Sequence, residues 1–283
     1  MSAGVESARV AGRPRVSQPS IAEMVAEELR ERIITGELRE GDLLPPQEEL
    51  VREFQVSRPP LREALRILEA EGLIEVRRGN IGGSVVRAPS KSGTAYSLGL
   101  LLQYERVPLA DLAGAIAEVE PVCARYAAQR ADRAEGLIPR LKALVDRQAE
   151  LIEHETDFTR AGRDFHDAVI DGCGNDTLRL VAGALAALWS SQEEDWADQV
   201  AASDEYPVPK LRSEVVKAHR RLVDAIEAGD AELAADLSRS HARASQGHIL
   251  GSAGQASRPV SLSKEVSLTR GRIFNDRRTS VES

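Results

Sequence analysis

The chain has 283 residues and a formal net charge of −8, with 42% hydrophobic and only 4% aromatic residues. That length suits two domains, and an Ala- and Leu-rich, aromatic-poor composition suits packed helices rather than sheets. The acidic balance excludes a polybasic coat, so any nucleic-acid contact must come from a local patch. No apolar run approaches the ~20 residues of a membrane span, no signal peptide is visible, and Cys123 and Cys173 have neither metal nor disulfide spacing. These features predict a soluble, cytoplasmic protein with free thiols and no membrane partner.

In chain order, residues 1–19 are rich in Ser, Gly, Pro and Arg and read as a disordered tail. Ser20-Ile21-Ala22-Glu23 has the capping-box pattern and predicts a helix to about Thr35, with Ile21, Val25, Leu29 and Ile33 on one stripe. Pro45 and Pro46 suit the first turn of a second helix, ending near Phe54. Ser57 is positioned to cap a third, to about Glu71, with Leu61, Ala64, Leu65 and Leu68 inward. Gly72 stops it, and two short strands follow around Gly79-Asn80-Ile81-Gly82. The expected winged helix-turn-helix domain spans 20–88, with a linker at 89–94.

Beyond the linker every segment reads as helix: near 95–106, 109–132, 135–153, 156–172, 176–200, 210–228 and 230–249. Short stops between them predict an antiparallel helical bundle over 95–250. Residues 251–283 read as a second disordered tail. The fold class is therefore mainly α, a winged helix-turn-helix followed by an all-α bundle.

Charge is distributed unevenly. Residues 57–91 carry seven basic and four acidic side chains. Arg58, Arg62 and Arg66 recur every four residues and share one face of the third helix, opposite its apolar stripe. A recognition helix enters the major groove with its N-terminal residues at base edges, and Arg forks onto guanine O6 and N7. Ser57 can reach a phosphate, and Arg77 and Arg78 of the wing suit phosphates or the minor groove. Alone, the arginines also fit a solvated face paired with Glu63, Glu69 and Glu71; the adjoining turn and wing favour DNA.

Leu44-Pro45, Glu49-Leu50, Val56-Ser57-Arg58-Pro59-Pro60-Leu61-Arg62-Glu63-Ala64-Leu65 and Glu71-Gly72-Leu73 resemble the signature of the GntR family of bacterial regulators. The resemblance implies DNA contacts at Ser57, Arg58, Arg62, Arg78 and Gly79. It also shows a departure: Gln47-Glu48 stands where the family has Glu-Arg, so a DNA-contacting arginine is replaced by a carboxylate.

In the helical half, His166, His219 and His241 each fall on the apolar side of a helix, whereas His154 and His248 read as solvent-facing. An inward His is ordinarily a hydrogen-bonded core residue; three on three helices can also converge on a metal. Trp189 and Trp196, one heptad apart, read as core or dimer contacts, with ligand stacking as the alternative, and Asn175 as a helix cap. Phe165-His166, Gly174-Asn175, His219 with Leu222-Val223-Asp224-Ala225-Ile226 and Gly229-Asp230, and His241 resemble the all-helical, FCD-type ligand-binding domain of the family's FadR branch.

That resemblance implies a divalent metal (Zn, Ni or Mn) on His166, His219 and His241. It also implies an effector pocket that includes Ile116, Glu120 and Gly162. Gly162 stands where metal-binding members have an Asp, and Ile116 where many have an Arg, which predicts a roomier, more apolar cavity. The combined expectation is a homodimeric regulator, a repressor, binding an inverted-repeat double-stranded DNA operator and a small organic or acyl-type acid. It is not expected to be an enzyme. The alternatives are a three-His metal-dependent hydrolase and a ligand-free architectural DNA binder, the latter favoured if the bundle lacks a cavity.

Overall fold

Capping chemistry starts the first helix of the computed structural model, which describes residues 19–77, 83–89, 91–202, 206–251 and 254–262. Ser20 Oγ accepts from Glu23 N–H at 3.2 Å, and the Glu23 carboxylate accepts from Ser20 N–H at 2.6 Å, so both halves of the capping box form. The helix, α1, runs Ile21–Ile34, followed by α2 (Gln47–Glu53) and α3 (Arg58–Ala70). Pro46 is the N-cap of α2, so that helix starts one residue after the expected proline pair. Gly72, at φ 76°, reverses the chain after α3 in a conformation L-residues avoid.

β1 (Ile74–Arg77) and β2 (Gly83–Val86) then pair antiparallel, with Ile74 opposite Val86 and Arg77 opposite Gly83. An isolated bridge from Leu43 to Val85 widens this ribbon towards α2. The expected wing tip, Arg78 to Gly82, lies outside the described residues.

One core holds this unit together: Val25, Leu29 and Ile33 of α1 meet Leu61, Ala64, Leu65 and Leu68 of α3, with Leu50, Leu73, Ile74 and Val86. Ile21, expected on the inner stripe, is 53% exposed; Ala22 and Ala26 take the inner positions of the first turns. Arg30 pairs with Glu71, and Arg32 with Glu53, at 2.6 Å each, tying α1 to the end of α3 and to α2.

The chain divides between Pro89 and Ser90 into two compact units. The second is helical: α4 (Lys91–Tyr104), α5 (Leu109–Gln129), α6 (Leu137–Glu150), α7 (Glu155–Asp171), α8 (Asp176–Ala202), α9 (Pro209–Ala228) and α10 (Ala231–Leu250). Helix α4 starts at Lys91, so four of the six residues of the expected 89–94 linker are already helix. α5 packs along α10 and also meets α7, α8 and α9; α6 bridges α7 and α9. Their shared core includes Phe165, Leu141, Val169, Leu222 and Ile226. Gly229 closes α9 at φ 76°, and Asp230 caps α10 through Leu233 N–H. Asn175 caps α8 in the same way, accepting from Leu178 N–H at 2.9 Å.

Residues 254–262, expected within a disordered tail, pack back on this unit. Leu109 N–H donates to Arg258 C=O at 2.8 Å and Val260 N–H to Val107 C=O at 2.9 Å. Val260 is 1% exposed, and Leu262 packs over Gly99, where a Cβ would come within 2.5 Å of it. The Ser- and Arg-rich composition of the segment conceals these two apolar anchors.

Candidate functional site

Two sites carry the chemistry, one in each unit. In the first, Ser57 has the extended backbone of an N-cap, φ −81° and ψ 166°, yet its side chain makes no cap hydrogen bond. The donors an N-cap hydroxyl uses are the N–H groups of the second and third helical residues. Here those residues are Pro59 and Pro60, which have none. The expected side-chain cap therefore does not form, and the exposed hydroxyl is left at the positive end of the α3 dipole, a setting that suits a phosphate.

Arg58, Arg62 and Arg66 all lie exposed on α3, off the buried stripe of Leu61, Ala64, Leu65 and Leu68. Arg62 has no ion pair among the described residues. Arg66 sits 3.3 Å from Glu63 and Arg58 3.0 Å from Glu48, with both partners of each pair largely solvent-exposed. Such pairs are worth ~0–1 kcal/mol and yield readily to a phosphate. Glu48 of α2 thus neutralises an α3 arginine directly, which its position on the neighbouring helix does not reveal in sequence. Arg77 is exposed at the end of β1, 3.9 Å from Glu75. Arg78 and Gly79 lie outside the described residues.

In the second unit His166 (α7), His219 (α9) and His241 (α10) converge, their candidate ligand nitrogens within 4.8 Å of one another. His241 Nε2 stands 2.9 Å from His219 Nε2 and 3.2 Å from His166 Nε2. The outer nitrogens are held from behind. His166 Nδ1 donates to Glu120 Oε1 at 2.6 Å, and His219 Nδ1 donates to Gln148 Oε1 at 2.7 Å. With oxygen acceptors behind them, His166 and His219 as neutral rings turn their Nε2 lone pairs to a common point, the usual arrangement behind metal-ligating imidazoles. Phe165 stacks on His219 at 4.2 Å between ring centroids and fixes its plane.

Electrostatics separate the three rings. Burial opposes charge on His166, but the Glu120 carboxylate outweighs it and raises His166 above its ordinary value. Burial pushes Glu120 up, yet the charge and hydrogen bond of His166 hold it below the usual range. Burial, with the neighbouring rings, drives His219 well down and His241 to about 3. Two neutral imidazoles and one carboxylate-backed imidazole result.

The space beside Gly162 is not empty, contrary to expectation. A Cβ there would lie 2.8 Å from Gln148 Nε2, so Gln148 occupies the volume that glycine leaves and uses it to reach His219. Asp164 lies exposed, off the histidine face. Among the described residues the donor set for a cation is three nitrogens without a carboxylate.

A cavity of about 130 Å³ opens beside the histidines, similar to the roughly 150 Å³ of an engineered apolar cavity that accepts benzene. Ile116, Glu120 and Gly162 line it as expected. Trp189 and Trp196 belong to a hydrophobic cluster, as expected of core contacts, and line the cavity as well, as does Arg212, which the sequence reading passed over. Arg212 shares the inward face of α9 with Val216 and His219, and that spacing was a usable signal. A bundle with a polar-ended cavity does not meet the condition for a purely architectural DNA binder.

Known proteins extend this picture. Residues 21–83 match the model of bacterial regulatory proteins, gntR family, and residues 111–244 match that of the FCD domain. The chain is 30% identical over 206 residues to the HTH-type transcriptional repressor NanR of Escherichia coli, covering 69% of this chain and 75% of that protein. It is 29% identical over 222 residues to the HTH-type transcriptional regulator Mce2R of Mycobacterium tuberculosis, covering 76% and 85%. A solved Streptococcus agalactiae GntR superposes with a TM-score of 0.62 at 21% identity, covering 80% of this chain and 99% of that one, and shares its fold. The chain belongs to the GntR family of bacterial regulatory proteins, with an FCD domain in its second unit.

Proposed function

We propose that this transcription regulator is a cytoplasmic, homodimeric repressor that reads an inverted repeat with α3 and releases it when a small organic acid enters the cavity. The observation that carries the DNA half is the N-terminus of α3, with the free Ser57 hydroxyl beside exposed Arg58 and Arg62. In this reading Ser57 holds a phosphate, Arg58 and Arg62 read bases, Arg66 and Arg77 supply backbone contacts, and Arg78 and Gly79 belong to the wing. Among the described residues no helix is long and apolar enough to cross a membrane.

The converging imidazoles support a divalent cation on His166, His219 and His241. Three nitrogens with no carboxylate suit Zn or Ni better than Mn, which favours oxygen donors. A bound cation would supply Lewis acidity to an effector oxygen; the chain's own residues orient the rings and shield them from water. Glu120, the carboxylate in contact with the histidines, is engaged by His166 and so is not a free base, which favours sensing over hydrolysis.

The test is selection of bound fragments from genomic DNA, followed by titration of the selected site with candidate acids. A palindromic consensus whose occupancy falls on adding an acid is expected. Enrichment of no sequence over random DNA would overturn the reading, since specific binding should exceed non-specific binding by ~10³ or more.

A further inference from the structure

Arg212 is the most anomalous residue in the second unit. It is 5% exposed, and its Nε and Nη1 are buried without a hydrogen-bond partner. Among the described residues no carboxylate pairs with it. Its guanidinium lies over the Tyr206 ring, 5.3 Å from the centroid, while the Tyr206 hydroxyl is committed to Glu155 C=O at 2.6 Å and to Thr159. On the same tyrosine, Trp196 packs at 6.0 Å between centroids, and its indole Nε1 is also buried and unpartnered. Both residues line the cavity. Three orphaned donor atoms on two residues, one of them cationic, around one aromatic ring leave a need that an anionic acceptor satisfies.

Two of the other charged groups of the cavity are already engaged. Glu120 is held by His166, and Arg163 by Glu194 and by Ser190 C=O at 3.0 Å. Glu193 also lines the cavity; burial pushes its carboxyl up, against the pull of His166 and Arg163, towards the neutral form.

Arg212 and His219 lie seven residues apart on α9, two turns and about 10 Å along its axis, on the same face. Val215, Trp189 and Ile116 contribute apolar wall to the cavity. We infer that the effector's carboxylate is seated on Arg212 and Trp196, away from the histidines, with an aromatic-ring-sized apolar body directed from there towards the three-His site. This deepens, and rests on, the reading of the cavity as an effector site. It moves the anion anchor from the position now held by Ile116 to the α9 side of the cavity.

The experiment uses the full chain and its intrinsic fluorescence, since both tryptophans of the protein line the cavity. Wild type, Arg212→Gln, Arg212→Lys and Trp196→Phe are titrated with benzoate, phenylacetate and 3-phenylpropionate and with their primary amides. Circular dichroism verifies that each variant folds. The expected result is that at least one acid binds wild type about tenfold or more tightly than its amide, and that Arg212→Gln removes this difference. Arg212→Lys should retain part of it, and Trp196→Phe should lower acid affinity a few-fold. Equal affinity for acid and amide, undiminished acid binding by Arg212→Gln, or no binding of any acid would overturn the anchor. If Arg212→Gln fails to fold, the Trp196→Phe and Arg212→Lys results decide, and unchanged acid affinity in both overturns it. An acid that releases DNA independently of Arg212 refutes the anchor but leaves the sensor reading intact. An acid that binds through Arg212 without affecting operator affinity does the reverse.

Discussion

The α3 surface and the three-histidine pocket use polar residues in opposite ways. On α3 the arginines stand in water, and those that are paired have exposed partners that contribute little. In the proposed reading their energy is realised only when phosphates and base edges arrive. In the pocket, His166 and His219 are each fixed from behind, by Glu120 and Gln148, and both of these partners are already buried. Loss of one partner there leaves a buried group unsatisfied. A reading surface therefore tolerates substitution structurally and fails functionally, whereas a sensing pocket fails in both ways together.

The largest effect expected from this contrast is structural. Phe165→Ala removes a fully buried ring that packs in the core of the second unit and stacks on His219. A loss of about 3–5 kcal/mol is expected, read by chemical denaturation, with metal retention lost as well. An Arg62→Ala control should leave the denaturation midpoint unchanged. If both variants denature like wild type, the contrast between surface and pocket is broken.

Glu120→Gln comes next. It keeps the shape but removes the charge behind His166, and about 10- to 100-fold weaker metal retention is expected in a competition with a chelator. Unaltered retention would show that Glu120 does not orient the ring. Gly162→Asp is the complementary change: it must displace Gln148, and it adds a carboxylate to the three nitrogens. Tighter metal binding is expected, with preference moving towards oxygen-favouring ions such as Mn.

The smallest effect belongs to Glu48. Glu48→Ala frees Arg58 from its exposed partner and removes a negative charge that the proposed complex would set near DNA phosphates. Operator affinity should rise by about 0–1 kcal/mol, with the gain fading as salt increases. A loss of affinity would mean that Glu48 positions Arg58 rather than restraining it.

Much of this was legible in the sequence because helical periodicity separates faces. Leu61, Ala64, Leu65 and Leu68 are buried, and Arg58, Arg62 and Arg66 are exposed, as their spacing requires. The histidines were found for the converse reason, as polar residues on apolar stripes. Gln148 and Arg212 carry the same signal, at stripe positions of α6 and α9, but without a familiar ligand chemistry to single them out. What sequence could not supply was partnership across elements. Glu48 meets Arg58 over a turn, Gln148 fills the space beside Gly162 from another helix, and Val260 returns to lie beside Val107. Ser57 shows a local rule overridden by its neighbours: the cap residue is right, but two prolines remove the donors.

The central claim is that the N-terminus of α3 reads DNA. The most direct measurement is fluorescence anisotropy of a selected operator against random duplex, across a salt series, for wild type and for the Arg58→Ala, Arg62→Ala double variant. The account predicts that the double variant folds normally but loses about 2 kcal/mol or more of operator affinity and most of its preference for the operator over random duplex, with a shallower salt slope. Wild-type affinity and specificity in the double variant would contradict it.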